Sequence, residues 1–184
     1  WRLHSMRRTI WVVPAEEASI FDAAAGQEIG AKERKRVTTW AAADREDAET
    51  WLQDIEAQTL AAIEEKPGVL TRELSAMLPA FATKISVGSG AGTSQSAVGS
   101  RLLFVRAMEG KVFRTAPAGS WKSSQYGWAA SLDGFGDPVD PATARTALLR
   151  RYLEAFGPVT RTDMKWWTGW TLARTKKALE RASN

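Results

Sequence analysis

The chain has 184 residues, a formal net charge of +4 and 44% hydrophobic residues, which are ordinary values for one folded domain or two small ones. It has no cysteine and a single histidine, which excludes disulfides, thiolate metal centres, cysteine nucleophiles and histidine-rich metal sites. No apolar run approaches the roughly 20 residues that cross a membrane. We predict a cytoplasmic, monomeric protein with no metal, no cofactor and no membrane association, whose positive charge suits an anionic partner.

The first part of the chain contains one predicted strand and one predicted helix. Residues 8–13 are rich in β-branched and aromatic side chains and end at Pro14, which is typical of a strand. Pro14 and the two acids soon after it favour a helix start. We expect that helix to end near Ala25, because Gly26 and Gly30 follow. The chain opens in the middle of an element and without a Met, so we expect it to be a piece of a longer protein.

The middle of the chain has the element order of a winged helix. Apolar side chains recur at helical spacing in three segments, and two strand-like segments follow them. The predicted elements are helices over residues 47–65, 71–78 and 96–108, a short strand over 84–87, a loop over 88–94, and strands over 111–115 and 124–129. Three helices followed by a hairpin, the wing, make up a winged-helix module.

A third part follows a linker that is rich in glycine and proline, at residues 134–141. Asp140 is a suitable N-cap and Pro141 a suitable first residue for the next helix. Two further helices are predicted over residues 162–167 and 171–182, with a short turn at residues 168–170 between them. This is the spacing of a helix-turn-helix unit.

Residues 69–74 return ninety positions later as residues 159–164, each time after a helix and a Gly/Pro break. A unit that recurs at a fixed offset indicates a repeated architecture. We therefore predict a mainly α fold with small β-hairpins (α+β), built from tandem winged helix-turn-helix modules. Residues 1–45 would be the end of a first module, residues 46–133 a complete second one, and residues 134–184 the helical part of a further one.

Four segments resemble the tandem winged-helix family that includes crosslink-unhooking bacterial DNA glycosylases. They are residues 6–14, residues 119–129, residues 150–160 and the Trp-Trp-Thr-Gly turn at residues 166–169. The resemblance implies winged helices around a DNA channel and, in the glycosylase members, removal of alkylated or crosslinked purines. Those members position the attacking water with a Gln-x-Gln or Gln-x-Asp pair, which this sequence does not contain. We therefore predict no catalytic residue here and no activity for this chain alone.

The candidate DNA-binding residues lie on the last helix and on the predicted wing. Recognition helices place basic side chains against phosphates and base edges, and a wing places them along the minor groove or the backbone. The candidates are Arg174, Lys176, Lys177 and Arg181 on the helix, and Arg114, Lys122 and Gln125, with Trp121, on the wing. The alternative interpretations are a solvated helix face and an exposed hairpin. Trp51 and Trp166 fit the apolar phase of their helices and are predicted to pack in the core.

Three functions are compatible with these patterns. The first is a DNA-repair protein whose modules grip duplex DNA, with base excision carried out by the longer protein. The second is a winged-helix DNA-binding protein without enzymatic activity, such as a regulator. The third is a scaffold whose winged helices bind proteins, for which the acidic helix over residues 47–65 would be suited.

Overall fold

The computed structural model describes residues 1–120, 122–131 and 134–182, and it is mainly helical with small antiparallel sheets. The helices are α1 (Ala18–Phe21), α2 (Gln27–Ala42), α3 (Ala48–Glu65), α4 (Thr71–Met77), α5 (Pro79–Ala82), α6 (Val98–Met108), α7 (Pro141–Phe156), α8 (Arg161–Thr168) and α9 (Leu172–Ala182). The strands are β1 (Arg2–His4), β2 (Ile10–Val12), β3 (Val69–Leu70), β4 (Lys84–Val87), β5 (Ser94–Ala97), β6 (Val112–Pro117) and β7 (Tyr126–Ala130). This confirms the predicted α+β class.

The helical run near the start of the chain does not stop at its glycines. α1 continues through a π-helical turn, Asp22–Gly26, directly into α2, so the predicted end near Ala25 is wrong. Both glycines lie where this run crosses the end of α6. A Cβ atom on Gly26 would be 3.1 Å from the carbonyl oxygen of Met108, and one on Gly30 would be 3.2 Å from the Met108 carbonyl carbon. The glycines therefore permit close helix packing, which outweighs their weak helix propensity.

The middle of the chain surrounds one hydrophobic core. Helices α3, α4 and α6 pack against a three-stranded antiparallel sheet in the order β3-β7-β6. Its fully buried side chains include Ile63, Leu74, Phe81 and Leu103. The hairpin formed by β6 and β7 is the segment that was predicted as the wing, and Trp121, between its two strands, lies outside the described residues.

A second hairpin lies between α5 and α6, where a strand and a loop were predicted. β4 pairs with β5 in antiparallel register, from Lys84 opposite Ala97 to Val87 opposite Ser94. α6 consequently begins at Val98, two residues later than predicted. Alternate residues of β4 face the core, with Ile85 and Val87 buried, and this burial stabilises the hairpin.

The start and the end of the chain share another core. α7, α8 and α9 pack against the π-helical turn and against the loop between β1 and β2. The buried residues of this core are Met6, Ala23, Ala24, Ala25, Ala144, Leu148, Leu149, Met164, Trp170 and Ala178. Segments that are far apart in sequence thus fix the position of α9.

The repeat that the sequence indicates has a matching capping arrangement in both copies. In the first copy, the carboxylate of Glu73 accepts the backbone N–H of Leu70 at 2.8 Å. In the second, the carboxylate of Asp163 accepts the backbone N–H of Thr160 at 3.0 Å, and the Thr160 hydroxyl accepts the N–H of Asp163 at 3.2 Å. Leucine has no side-chain acceptor, so only the second copy closes a full capping box.

Candidate nucleic-acid interface

α9 exposes a basic face near the end of the chain. The helix follows a tight turn at Gly169, whose φ of 73° is in the left-handed region that glycine adopts without strain. Thr175 and Ala178 are buried against α7 and α8, which orients the rest of the helix. The basic residues predicted for DNA contact therefore lie on the open side: Lys176, Lys177 and Arg181 are exposed, and Arg174 is half-buried.

A groove between α7 and α9 gathers four of the molecule's basic side chains. Arg145, Arg174, Lys177 and Arg181 line a cavity of about 370 Å³, and none of the described residues that line it is acidic. We call this cavity the α9 groove. From behind it, Glu28 pairs with Arg174 at 2.7 Å and with Arg145 at 3.6 Å. Asp140, at the start of α7, also acts electrostatically on Arg145 and Arg181. Two carboxylates cannot neutralise four cations, so the groove keeps an excess of positive charge.

The electrostatics of the α9 groove agree with that excess. Burial, together with the neighbouring charge of Arg174, lowers the pKa of Arg145. Burial would raise the pKa of Glu28, but its hydrogen bond with Lys32 and the charge of Arg174 hold that pKa below its usual value. An anion that enters the groove would relieve the repulsion between the two guanidinium groups.

The wing candidates have different surroundings. Lys122 and Gln125 are exposed in the loop between β6 and β7. Arg114 is half-buried, and its guanidinium carbon lies 4.5 Å from the ring centre of Trp128 and 5.5 Å from that of Tyr126. Burial lowers the pKa of Arg114. The structure thus holds Arg114 on aromatic ring faces instead of extending it along the wing.

Trp166 does not pack in the core, contrary to the prediction. Its side chain is 68% exposed, and the guanidinium of Arg7 lies 4.3 Å from its ring centre. Arg7 also donates a hydrogen bond to the Trp166 carbonyl at 3.0 Å. The buried face of α8 is formed by Met164 and by Thr168, whose hydroxyl donates a hydrogen bond to the Met164 carbonyl at 2.7 Å. Trp51 does contact the hydrophobic core, where it is partly buried.

Sequence reasoning missed the basic residues that come from other parts of the chain. Arg145 belongs to α7, and its place beside α9 depends on how the two helices pack. Arg7 and Arg8, and the basic segment from Lys32 to Arg36 on α2, resemble solvated surface charge when only the local sequence is considered. Of that last segment, Arg34 forms an ion pair with Glu109 at 2.6 Å inside the fold. These residues come together because the two ends of the chain pack against each other, and no local sequence pattern shows that packing.

The amino-acid sequence matches a known protein family along the whole chain. A family model described as DNA glycosylase AlkZ-like matches residues 1–184. The chain belongs to the AlkZ-like DNA glycosylase family.

Among solved structures, the AlkZ-like chain is similar to the DNA glycosylase AlkZ of Streptomyces sahachiroi. The two share 14% sequence identity with a TM-score of 0.55, and the match covers 98% of this chain and 47% of the other. At that identity the likeness shows a shared fold, and this chain spans about half the length of the solved one. A search of curated proteins finds no match.

Two buried titratable groups of the AlkZ-like chain lie away from the α9 groove. Burial, and then the charge of Arg114, lowers the pKa of His4 to about 4. Burial raises the pKa of Asp22 to about 6, against the opposing effects of its hydrogen bond with Gln27 and the charge of Lys111. Within the described ranges, no cluster of three or more His, Cys, Asp or Glu could hold a metal ion. No helix there is both long and apolar enough to cross a bilayer.

Proposed function

We propose that this chain is a duplex-DNA-binding part of a DNA glycosylase that acts on alkylated or crosslinked purines, and that α9 is its main DNA-contacting helix. The α9 groove carries this proposal. Four cationic side chains converge there, and none of the described residues lining it is acidic. Phosphodiesters are the anions for which a row of Lys and Arg on a helix face is suited, because each contact releases condensed counterions from the DNA. Membership of the AlkZ-like family supports DNA as the source of those phosphates.

We propose further that the modules are winged helices with the boundaries predicted from sequence. For residues 46–133, the support is the order of α3, α4 and α6 before a hairpin, and the sheet order β3-β7-β6. For residues 134–184, it is the succession of α7, α8 and α9. Residues 1–45 would complete an earlier module. Lys122 and Gln125 would then be the wing's DNA contacts, with Arg114 beside them as a half-buried third.

Base excision is proposed for a protein longer than this chain. A glycosylase must extrude the damaged base and direct a water at its glycosidic bond. The family's Gln-x-Gln or Gln-x-Asp pair does not occur in these 184 residues. We therefore expect this chain to bind DNA and to leave the bases in place.

A salt titration of DNA binding tests the proposal. Fluorescence anisotropy of a labelled 20-base-pair duplex should report binding at low salt. The logarithm of the affinity should fall linearly with the logarithm of the salt concentration, with a slope of about −0.9 per phosphate contact. No binding at low salt would contradict the DNA proposal. Incubation with a duplex that contains 7-methylguanine should release no base, and release would show that other residues can position the water.

A further inference from the structure

A second basic pocket lies beside the α9 groove and contains residues that the DNA proposal does not use. It is formed where the tip of the β1–β2 hairpin meets α2 and the turn between α8 and α9, and it has a volume of about 240 Å³. We call it the hairpin pocket. Its charged lining consists of the bases Arg7, Arg8, Lys32, Arg36 and Arg174 and the acids Glu28 and Glu33. Five cations against two carboxylates leave the pocket with a net positive charge.

The two carboxylates are already shared between cations. Glu33 accepts hydrogen bonds from Arg36 at 2.6 Å and from Arg8 at 3.4 Å. Glu28 pairs with Lys32 and with Arg174, each at 2.7 Å. A guanidinium has five N–H donors and an ammonium has three, so each cation keeps donors that these pairs do not use. The side chains of Arg8, Lys32 and Arg36 are each more than half exposed, which leaves those donors accessible to an anion.

The hairpin tip is held in an unusual conformation. Arg7 and Arg8 have φ angles of 56° and 63°, in the left-handed region that non-glycine residues rarely adopt. The hydroxyl of Thr9 donates to the Met6 carbonyl at 2.9 Å, and Arg7 is fixed on Trp166 of α8. Such strained positions persist where surrounding contacts hold them, and they cluster at binding sites. At the tip, Arg7 lies against the α8–α9 turn, where a Cβ atom on Gly169 would be 3.0 Å from the Arg7 Cγ.

Arg174 belongs to both basic cavities. It lines the hairpin pocket and the α9 groove, so the two form one continuous positive surface. Trp170 also lines the hairpin pocket but is buried, so it presents little ring face for a base to stack on. The chemistry of the pocket therefore suits a phosphate better than a nucleobase.

We propose that the hairpin pocket binds a backbone phosphate of the duplex that α9 contacts, through Arg8, Lys32 and Arg36. This inference rests on the proposed function, because it extends the same DNA surface from α9 across to the hairpin tip. A duplex bound along the α9 groove would continue over Arg174 into the pocket. The hairpin tip then sets where the backbone of the bound DNA must run.

The unmodified protein provides a first test, by lysine footprinting. Acetylation with a water-soluble acetate ester, read by mass spectrometry with and without the 20-base-pair duplex, compares lysines on different faces. We expect DNA to protect Lys32 and Lys177 several-fold, and to leave the exposed Lys35 and Lys84 unprotected. Unchanged acetylation of Lys32 beside a protected Lys177 would overturn the pocket and leave the α9 proposal standing.

Variants provide the second test. Arg8→Gly removes the guanidinium, and because glycine adopts the same positive φ without strain, we expect this variant to fold like the unmodified chain. Combined with Lys32→Gln, it should reduce the steepness of the salt dependence by about 1, the amount expected for the loss of one phosphate contact. The matched control Lys35→Gln with Lys84→Gln removes the same charge elsewhere and should change the slope by less than half as much. Equal slopes for the two double variants would overturn the inference.

Two further outcomes distinguish a failure of the pocket inference from a failure of the proposed DNA-binding function. If the unmodified chain binds no duplex at low salt, the proposed function fails and the pocket inference fails with it. If inorganic phosphate binds the unmodified chain by calorimetry, while the pocket variant keeps the full salt slope for DNA, the pocket is a site for free phosphate and the inference is overturned. Loss of DNA slope in the pocket variant at an unchanged melting temperature supports it.

Discussion

α6 and α9 occupy corresponding places in the chain and have opposite surroundings. α6 follows α3 and α4, while α9 follows α7 and α8, and the helices before them start with matching capping carboxylates at Glu73 and Asp163. α6 is enclosed by α2, α3, α5 and strands from three sheets. α9 packs mainly on α7 and α8 and presents Lys176, Lys177 and Arg181 to solvent.

The cause of the difference is what lies between the paired helices. In the second copy, α8 and α9 are separated by the short turn at Gly169, so α9 lies at the edge of its core. In the first copy, α5 and the β4–β5 hairpin intervene between α4 and α6, and they cover α6 from the other side. Gly99 of α6 is so close to the ring of Phe81 from α5 that an added Cβ would lie 2.1 Å from it. The helix at this position therefore stabilises the fold from inside in the first copy, whereas in the second copy it exposes a basic face to solvent.

The largest expected effect is a loss of stability on truncating α6. Leu103 is 2% exposed, so Leu103→Ala should leave a cavity and lower the free energy of unfolding by about 3 kcal/mol. Leu172 of α9 is 53% exposed, and Leu172→Ala should change it by less than about 0.5 kcal/mol. Urea denaturation followed by tryptophan fluorescence measures both. Equal losses would show that α9 is as tightly packed as α6, which breaks the comparison.

The next effect concerns the pH dependence of stability near the buried end of α6. Asp22 has a pKa of about 6 in the folded state, against an ordinary value of 3.8, so between those pH values the folded state keeps a proton that the unfolded state loses. Stability therefore falls as pH rises through that window, by about 2–3 kcal/mol. His4, with a folded pKa of about 4 against 6.5, acts in the opposite direction, because its unfolded form binds the extra proton.

Asp22→Asn removes one of these two opposing contributions. Relative to the unmodified chain, the variant should gain about 2–3 kcal/mol in unfolding free energy between pH 4 and pH 7. Its own stability should rise with pH, because His4 is then uncompensated. Urea denaturation at intervals of half a pH unit gives both curves. Parallel curves for the two proteins would mean that Asp22 titrates normally in the folded state.

For α9 we expect a small change in the free energy of unfolding and a large change in DNA affinity. Lys176→Glu with Lys177→Glu should weaken binding of a 20-base-pair duplex by at least about tenfold at low salt, because two cations become anions that repel phosphates. Both side chains are exposed, so the unfolding free energy should stay within about 0.5 kcal/mol. Lys35→Glu with Lys84→Glu is the matched control for charge. If the control weakens DNA binding as much, the loss comes from the change in net charge alone, and the assignment of α9 as the DNA-contacting helix is contradicted.

Most of the helices and the capping of α7 were predictable from local sequence. Asp140 followed by Pro141 predicted that helix start, and the structure has the Asp140 carboxylate accepting the Thr143 N–H at 2.9 Å. The failures have a common physical reason. Gly26 was interpreted from its own propensity, whereas its role is set by Met108, which is distant in sequence. The placement of Arg8 and Arg145 beside α9 likewise depends on packing between the two ends of the chain, which no local pattern encodes.

The smallest effect tests the repeat itself. The hydroxyl of Thr160 accepts the Asp163 N–H at 3.2 Å at the start of α8, whereas Leu70 has no side-chain acceptor at the corresponding place. Thr160→Ala should therefore cost about 1 kcal/mol of stability. Thr162→Ala, on the same turn and also exposed, should cost less than about 0.3 kcal/mol, because alanine favours a helix interior. Since α8 precedes the turn that positions α9, Thr160→Ala should also loosen that turn, measured as faster amide hydrogen exchange at Gly169 and Trp170. Equal amide exchange in the two variants would mean that the position of α9 does not depend on the Thr160 hydroxyl. The second copy would then resemble the first, which has no side-chain acceptor at Leu70.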